Sequence, residues 1–199
     1  MKVINPIESI QVSEILDRAV LLENDNTQNN YNKSYYHFVK YFGDKQQLTE
    51  HDLVIAANFT YGWMPTILKF KSDGFVAAVT IINKARGPHR ISDEELETLK
   101  KLMNNSIVGV SKLLHFINPN VYAIWDSRVC NFLIGKPHPY KVQEAKLFWS
   151  YLDLCQKVAM DSAFQSVHEK YKKKLGYEVT PIRTVEQIMF ISSNHPIQH

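Results

Sequence analysis

Glycine and proline are scarce in this 199-residue chain, at 7 and 8 residues, and cysteine is scarcer still at two. So few turn-formers argue against the loop-dense strand arrays of sandwich folds and against long low-complexity linkers. Cys130 and Cys155 lie within apolar helical patterns without metal-type spacing. They read as buried free thiols of a reduced, cytoplasmic protein, not as a zinc site or a disulfide framework. Long hydrophobic runs are missing as well. The longest, GFVAAVTII at 74–82, is too short to span a bilayer, and the opening MKVINPIESIQ lacks the apolar segment of a signal peptide. No membrane partner is therefore expected. GxGxxG, P-loop, HExxH, CxxC and Gly-x-Ser-x-Gly patterns are absent, so nucleotide-dependent, zinc-protease and serine-hydrolase chemistry have no footing. Neither a metal nor a cofactor is expected.

What the chain does have is apolar residues enough for a real core, 45% of the total, in the length of one domain. Its charge is unevenly spread. Residues 1–107 hold 12 Lys and Arg against 13 Asp and Glu, whereas residues 108–199 hold 11 against 7. The basic excess of the second half is compatible with an anionic partner such as nucleic acid.

Helix signals recur along the whole chain. Asn5-Pro6-Ile7-Glu8 reads as a helix start, followed by an amphipathic pattern to about Glu23. Residues 24–34 are polar and loop-like, Tyr35 to Phe42 is a short helix, and Thr49 to Asp52 caps a helix ended by Gly62. Pro65 opens a further helical piece, and Ser72 or Asp73 caps a buried helix through Ile82. Ser92-Asp93-Glu94-Glu95 is a capping box for Leu96, Leu99 and Leu102. A period of 3.6 marks 140–159, Asp161 caps another helix, and Thr180-Pro181 starts the last. The expectation is an all-α fold: one bilobal helical domain over 1–199, of about eight to ten short helices.

The densest chemistry falls between residues 99 and 135. In LKKLMNNSIVGVSK a helix ends near Met103, two Asn and a Ser turn the chain, and Ile107-Val108-Gly109-Val110 leads into the next. Gly109 is the residue expected to supply the positive φ of a tight turn, and free N–H groups at the second helix start can hold a DNA phosphate. The same pattern also suits an αα-hairpin that only packs.

GVSK at 109–112 and IWDSRV at 124–129 resemble the helix-hairpin-helix DNA glycosylase superfamily, in particular its 8-oxoguanine glycosylase-type branch. In that family a lysine starts the helix after the hairpin, a Pro- and aromatic-containing loop follows, and an aspartate caps the next helix. The likeness covers about residues 99–135. It departs from the family in having one glycine, Gly109, with Ser111 near the position of the second. Lys112 is about one residue out of step, and Pro119 shortens the intervening helix. The chain is also similar to small bacterial helical proteins that pair YGWMPT with SKLLHF and WDSR, a likeness that brings no activity with it.

The resemblance implies a DNA-repair hydrolase acting on double-stranded DNA with a flipped base. Cleaving an N-glycosidic bond puts positive charge on the sugar, which a carboxylate stabilises, and a buried lysine can attack the sugar carbon. Asp126 fits the first role and Lys112 the second. The extruded base would sit among His115, Phe116, Tyr122, Trp125 and Trp63. Gly109, Ser111, Arg128, Lys136 and Lys141 would meet the DNA backbone. Each candidate has a plainer role: Asp126 is a good N-cap, worth about 1 kcal/mol, Lys112 a solvated lysine, and the aromatics a core. On those roles the chain is a non-catalytic helical DNA-binding or protein-interaction domain. Oligomeric state leaves no mark in the sequence.

Overall fold

The computed structural model describes residues 5–25, 30–64, 66–70, 73–135 and 139–197. Among these the fold is all-α, as the sequence pattern implies. In chain order the helices are α1 (Val12–Leu16), α2 (Asn30–Gly43), α3 (Glu50–Trp63), α4 (Phe75–Lys84), α5 (Asp93–Leu102), α6 (Ile107–Ile117), α7 (Ser127–Ile134), α8 (Ala145–Ala159), α9 (Phe164–Leu175) and α10 (Pro181–Ile191). Three 3-10 turns, Pro6–Ser9, Ala19–Asn24 and Pro139–Gln143, fill the gaps. The β-type pairing among the described residues is a single bridge between Phe70 and Met103. No helix among them is long and apolar enough to cross a membrane.

Side-chain caps start α3, α5, α7 and α10 where the sequence places them, whereas α9, with Ala163 at its N-cap, lacks the side-chain cap expected of Asp161. Thr49 and Asp52 form a reciprocal capping box on α3, and Ser92 and Glu95 form one on α5. Thr180 caps α10, with Pro181 at its first position. Elsewhere the pattern misleads. The single helix expected from Asn5 to Glu23 is three pieces, because the Gln11–Glu14 capping box restarts the chain after Ile10. The polar stretch before Tyr35 is helical from Asn30. Residues 66–70 are not helical, and the piece expected after Pro65 is absent there, Pro65 itself lying outside the described residues. The run 74–82 is helical but half-wetted, with Val76 strongly exposed. Gly74, at φ 125°, occupies its N-cap in place of Ser72 or Asp73.

Contacts divide the chain into two compact units. Asn29–Tyr122 form an inserted unit, and the segments before and after it form a flanking unit. In the inserted unit α6 packs on α2, α3 and α5, and all of its residues but Val108 are buried. A helix apolar on every face must be enclosed by neighbours, and α6 is the axis of its unit. Its Phe116 edge-stacks with Phe38, Phe59 and Trp63 at centroid distances of 5.3, 6.1 and 5.2 Å.

The flanking unit is organised likewise around α10, which is buried continuously from Ile182 to Met189 and packs on α1, α7, α8 and α9. Its polar groups are paired where they are enclosed. Arg183 forms an ion pair with Glu186, and His168 Nδ1 lies 2.9 Å from Thr184 Oγ1. The Lys174 ammonium donates to the carbonyls of Leu22, Glu23 and Asp25 at 2.7, 2.6 and 2.9 Å, closing the end of the Ala19–Asn24 turn. Lys174 therefore works as a cap on that turn.

Candidate functional site

The hairpin exists, and the two asparagines that follow Met103 make its turn without Gly109. α5 ends at Leu102, and Asn104 and Asn105 take left-handed φ values of 56° and 54°. Asparagine tolerates this region because its short amide side chain bonds locally. The Asn104 amide donates to Ile67 O at 2.9 Å and accepts from Lys69 N at 2.6 Å. Asn105 N closes the turn on Lys100 O at 2.8 Å, and the Ser106 side chain caps α6 by accepting from Gly109 N.

Gly109 is thus inside α6, not in the turn, and its φ is not positive. Its need is for space. A Cβ there would stand 2.6 Å from Tyr61 Oη and 2.9 Å from two ring carbons. Tyr61 fills that space and donates to Met103 O at 2.9 Å, so one phenol ties the end of α5 to the start of α6. Burial pushes the Tyr61 hydroxyl up to about 12. Ser111 is fully buried, with Oγ donating to Val108 O at 2.9 Å. Neither Gly109 nor Ser111 presents a surface to DNA, and both expectations are corrected accordingly.

Lys112 changes standing in the other direction. It is only 9% exposed, and its Nζ lies 6.0 Å from the centroid of the Trp63 ring. This is not the solvated lysine of the plainer reading. Trp63 itself is half-buried, with Tyr31 set edge-on at 5.3 Å. Its indole N–H is buried without a hydrogen-bond partner among the described residues, as is the Thr60 hydroxyl one turn back.

The other expected pocket residues are core. His115, Phe116, Tyr122 and Trp125 have no exposed surface. His115 Nδ1 lies 2.7 Å from Tyr122 O and Nε2 lies 2.9 Å from Tyr35 Oη. A carbonyl can only accept, so Nδ1 carries the proton and Nε2 accepts from the tyrosine. Both nitrogens are used by the fold. Tyr122 Oη accepts from Ile91 N at 3.0 Å, and Trp125 Nε1 donates to Val142 O at 2.8 Å. These aromatics hold helices together and do not wall an open pocket.

Asp126 is the N-cap of α7, as its sequence position implies. One oxygen, Oδ1, accepts from Arg128 N at 2.9 Å and Val129 N at 3.0 Å. The other has no hydrogen-bond partner among the described residues, and the side chain is partly exposed. Asp126 belongs to the flanking unit and Lys112 to the inserted one.

The basic residues around α7 are largely engaged. The exposed Arg128 guanidinium lies 4.7 Å from the Phe190 ring centroid, and Lys141 pairs with Glu144 at 2.9 Å, a hydrogen bond that raises its pKa. Lys136 lies outside the described residues. Burial pushes the Cys130 thiol up to about 12, which leaves little thiolate for nucleophilic chemistry. Among the described residues no three His, Cys, Asp or Glu side chains are grouped to hold a metal ion.

The two asparagines turn the chain as the sequence implies, and what sequence reasoning missed is the part played by Tyr61. The Asn-Asn dipeptide was a readable turn signal. Tyr61 carried none, since its meaning depends on a distant glycine. In comparison with known proteins, no family model, no curated protein and no solved structure matches this chain.

Proposed function

We propose that this chain is a DNA-binding protein of the glycosylase type, with Lys112 as the nucleophilic amine and Asp126 as the carboxylate that stabilises positive charge on the sugar. The observation that carries the reading is the burial of Lys112 against Trp63 on the helix that follows the hairpin. Taking an ammonium out of water is costly, and enclosed charges of this kind concentrate at functional sites. Asp126 supports it through its geometry. Its N-cap bonds fix the carboxylate in orientation while its other oxygen accepts no hydrogen bond from the described residues.

In this chemistry the lysine amine attacks C1′ of the sugar, the C–N bond to the base breaks, and the base departs with the electron pair and takes up a proton. The aminal that remains opens to an imine, which borohydride reduces to a stable secondary amine linking protein and DNA. The test is borohydride trapping on duplexes carrying an abasic site or a panel of modified bases, with free base measured separately. Wild type is expected to form the adduct and Lys112→Gln to form none, with its thermal unfolding close to that of wild type. Absence of both adduct and base release from wild type overturns the reading. The N-cap bonds of Asp126 favour a second reading, a non-catalytic helical DNA-binding or protein-interaction module. DNA affinity that falls steeply with salt, without any base release, would establish the DNA-binding form.

A further inference from the structure

In the flanking unit, the Ala19–Asn24 turn and α9 enclose a cavity of about 200 Å³ that the proposed chemistry does not use. Ala19, Val20 and Leu22 wall one side, and Val167 and Tyr171, one turn apart on α9, wall the other. Protein interiors are close-packed, and a gap of this size between two elements ordinarily collapses. Here hydrogen bonds prop it. Lys174 Nζ donates to the carbonyls of Leu22, Glu23 and Asp25 at 2.7, 2.6 and 2.9 Å, and Tyr171 Oη donates to Asp25 Oδ2 at 2.8 Å. Both donors reach from α9, so these bonds hold the end of the turn at a set distance from the helix. The small side chains of Ala19, Val20 and Val167 leave the space between open.

Walls and rim differ in character. The walls are apolar, and Val20 stays 59% exposed beside the cavity, where covering it would be favourable. The rim carries Lys170 and Lys174, four residues apart and so on one face of α9, against a single lining carboxylate, Glu23. Lys170 is in no ion pair among the described residues. Lys174 is bound to carbonyl dipoles and not to a carboxylate, which fixes its charge in place without neutralising it. Asp25, the other nearby acid, already accepts from Tyr171.

We infer that this cavity is a binding site for a short-chain amphiphilic carboxylate, its tail lying between Val20, Val167 and the Tyr171 ring and its head at the Lys170 and Lys174 ammonium groups. A dry cavity of roughly 150 Å³ holds a benzene-sized guest, so about 200 Å³ suits one short tail and not the paired chains of a membrane lipid. A cationic head would meet two like charges, and a neutral one would leave both lysines without a counter-charge. No residue of the cavity takes part in the glycosylase reading, so the two stand or fall apart.

The test titrates octanoate, below its micelle-forming concentration, into the isotope-labelled full chain and follows the backbone amide shifts. Wild type should bind saturably, with the shifts concentrated in residues 19–23 and 167–174. Octanol should bind more weakly, and octylammonium more weakly still. Val167→Phe, whose ring fills the cavity from a half-buried position, should abolish octanoate binding. Lys170→Glu, at an exposed position that leaves the fold intact, should weaken octanoate about fivefold, the scale of an exposed ion pair, and narrow its advantage over octylammonium. Four outcomes overturn the inference: no saturable binding by wild type, shifts scattered outside the two segments, equal affinity for octanoate and octylammonium, or binding to phosphatidylglycerol vesicles without binding of monomeric octanoate. None of these would bear on adduct formation at Lys112.

Discussion

Two aspartates stand at helix starts, one in each unit, and the fold uses them to different degrees. Asp52, at the third position of α3, is 3% exposed and spends both oxygens. Tyr41 Oη and Lys45 Nζ meet Oδ1 at 2.7 and 2.8 Å, while Thr49 N and Oγ1 meet Oδ2 at 2.9 and 2.7 Å. Burial by itself would raise its pKa, but the hydrogen bonds from Lys45, Thr49 and Tyr41 overcome this and hold it well below the usual carboxylate range. Asp126, the N-cap of α7, engages one oxygen among the described residues and keeps part of its side chain in solvent. A carboxylate saturated by its own fold has nothing left for a ligand, whereas one that only caps a helix and stays partly exposed keeps an oxygen in reach of solvent.

The largest effect that would sharpen the contrast is at Asp52. Asp52→Ala strands Lys45, Tyr41 and the α3 start together, and should cost roughly 3 kcal/mol in urea unfolding. Its pH dependence has a definite sign. A carboxyl depressed in the folded state contributes in full above its unfolded value of about 4, and the contribution is lost as pH falls from there towards the folded value. Wild type should therefore lose stability below about pH 4 and Asp52→Asn should lose less over the same range; parallel curves would refute the assignment.

Next in size is Gly109→Ala. A methyl 2.6 Å from Tyr61 Oη forces the phenol off Met103 O, at a cost of about 2 kcal/mol. Were Gly109 a turn residue facing DNA, the same change would lower DNA affinity and spare stability. Smallest for the fold is Asp126. Asp126→Ala should cost about 1 kcal/mol, while Asp126→Asn, which still caps, should cost a few tenths. On the glycosylase reading Asp126→Asn nevertheless slows base release about 100-fold, the scale of one lost electrostatic contact in a transition state. If Asp126→Asn instead unfolds the protein as Asp52→Ala does, the comparison between the two collapses.

What could be read in the sequence was whatever depends on near neighbours. Ser92 with Glu95, Thr49 with Asp52, Thr180 before Pro181 and Asp126 before α7 are all caps, made within three residues, and the structure places each as the pattern implies. What could not be read depends on distant partners. Gly109 looked like a turn because its reason, the ring of Tyr61, comes from another helix. Lys112 looked solvated because helical periodicity alone does not reveal that α6 is enclosed on every face. The break of the first helix was hidden because Ile7, Ile10 and Ile15 keep a helical apolar spacing across a restart at Gln11. Of the site, Asp126 was legible as to place, and Lys112 only as to identity.

The division of the chain has a consequence for how it is made. The inserted unit is one uninterrupted segment, whereas the flanking unit draws on both ends and is centred on α10. During synthesis, residues 29–122 can therefore condense around α6 as soon as they leave the ribosome, while residues 5–25 must wait for α10. Until then the apolar faces of Ile7, Ile10, Ile15 and Leu22 have no finished partner of their own unit. The length of that interval is set by the rate of translation through α7 to α10.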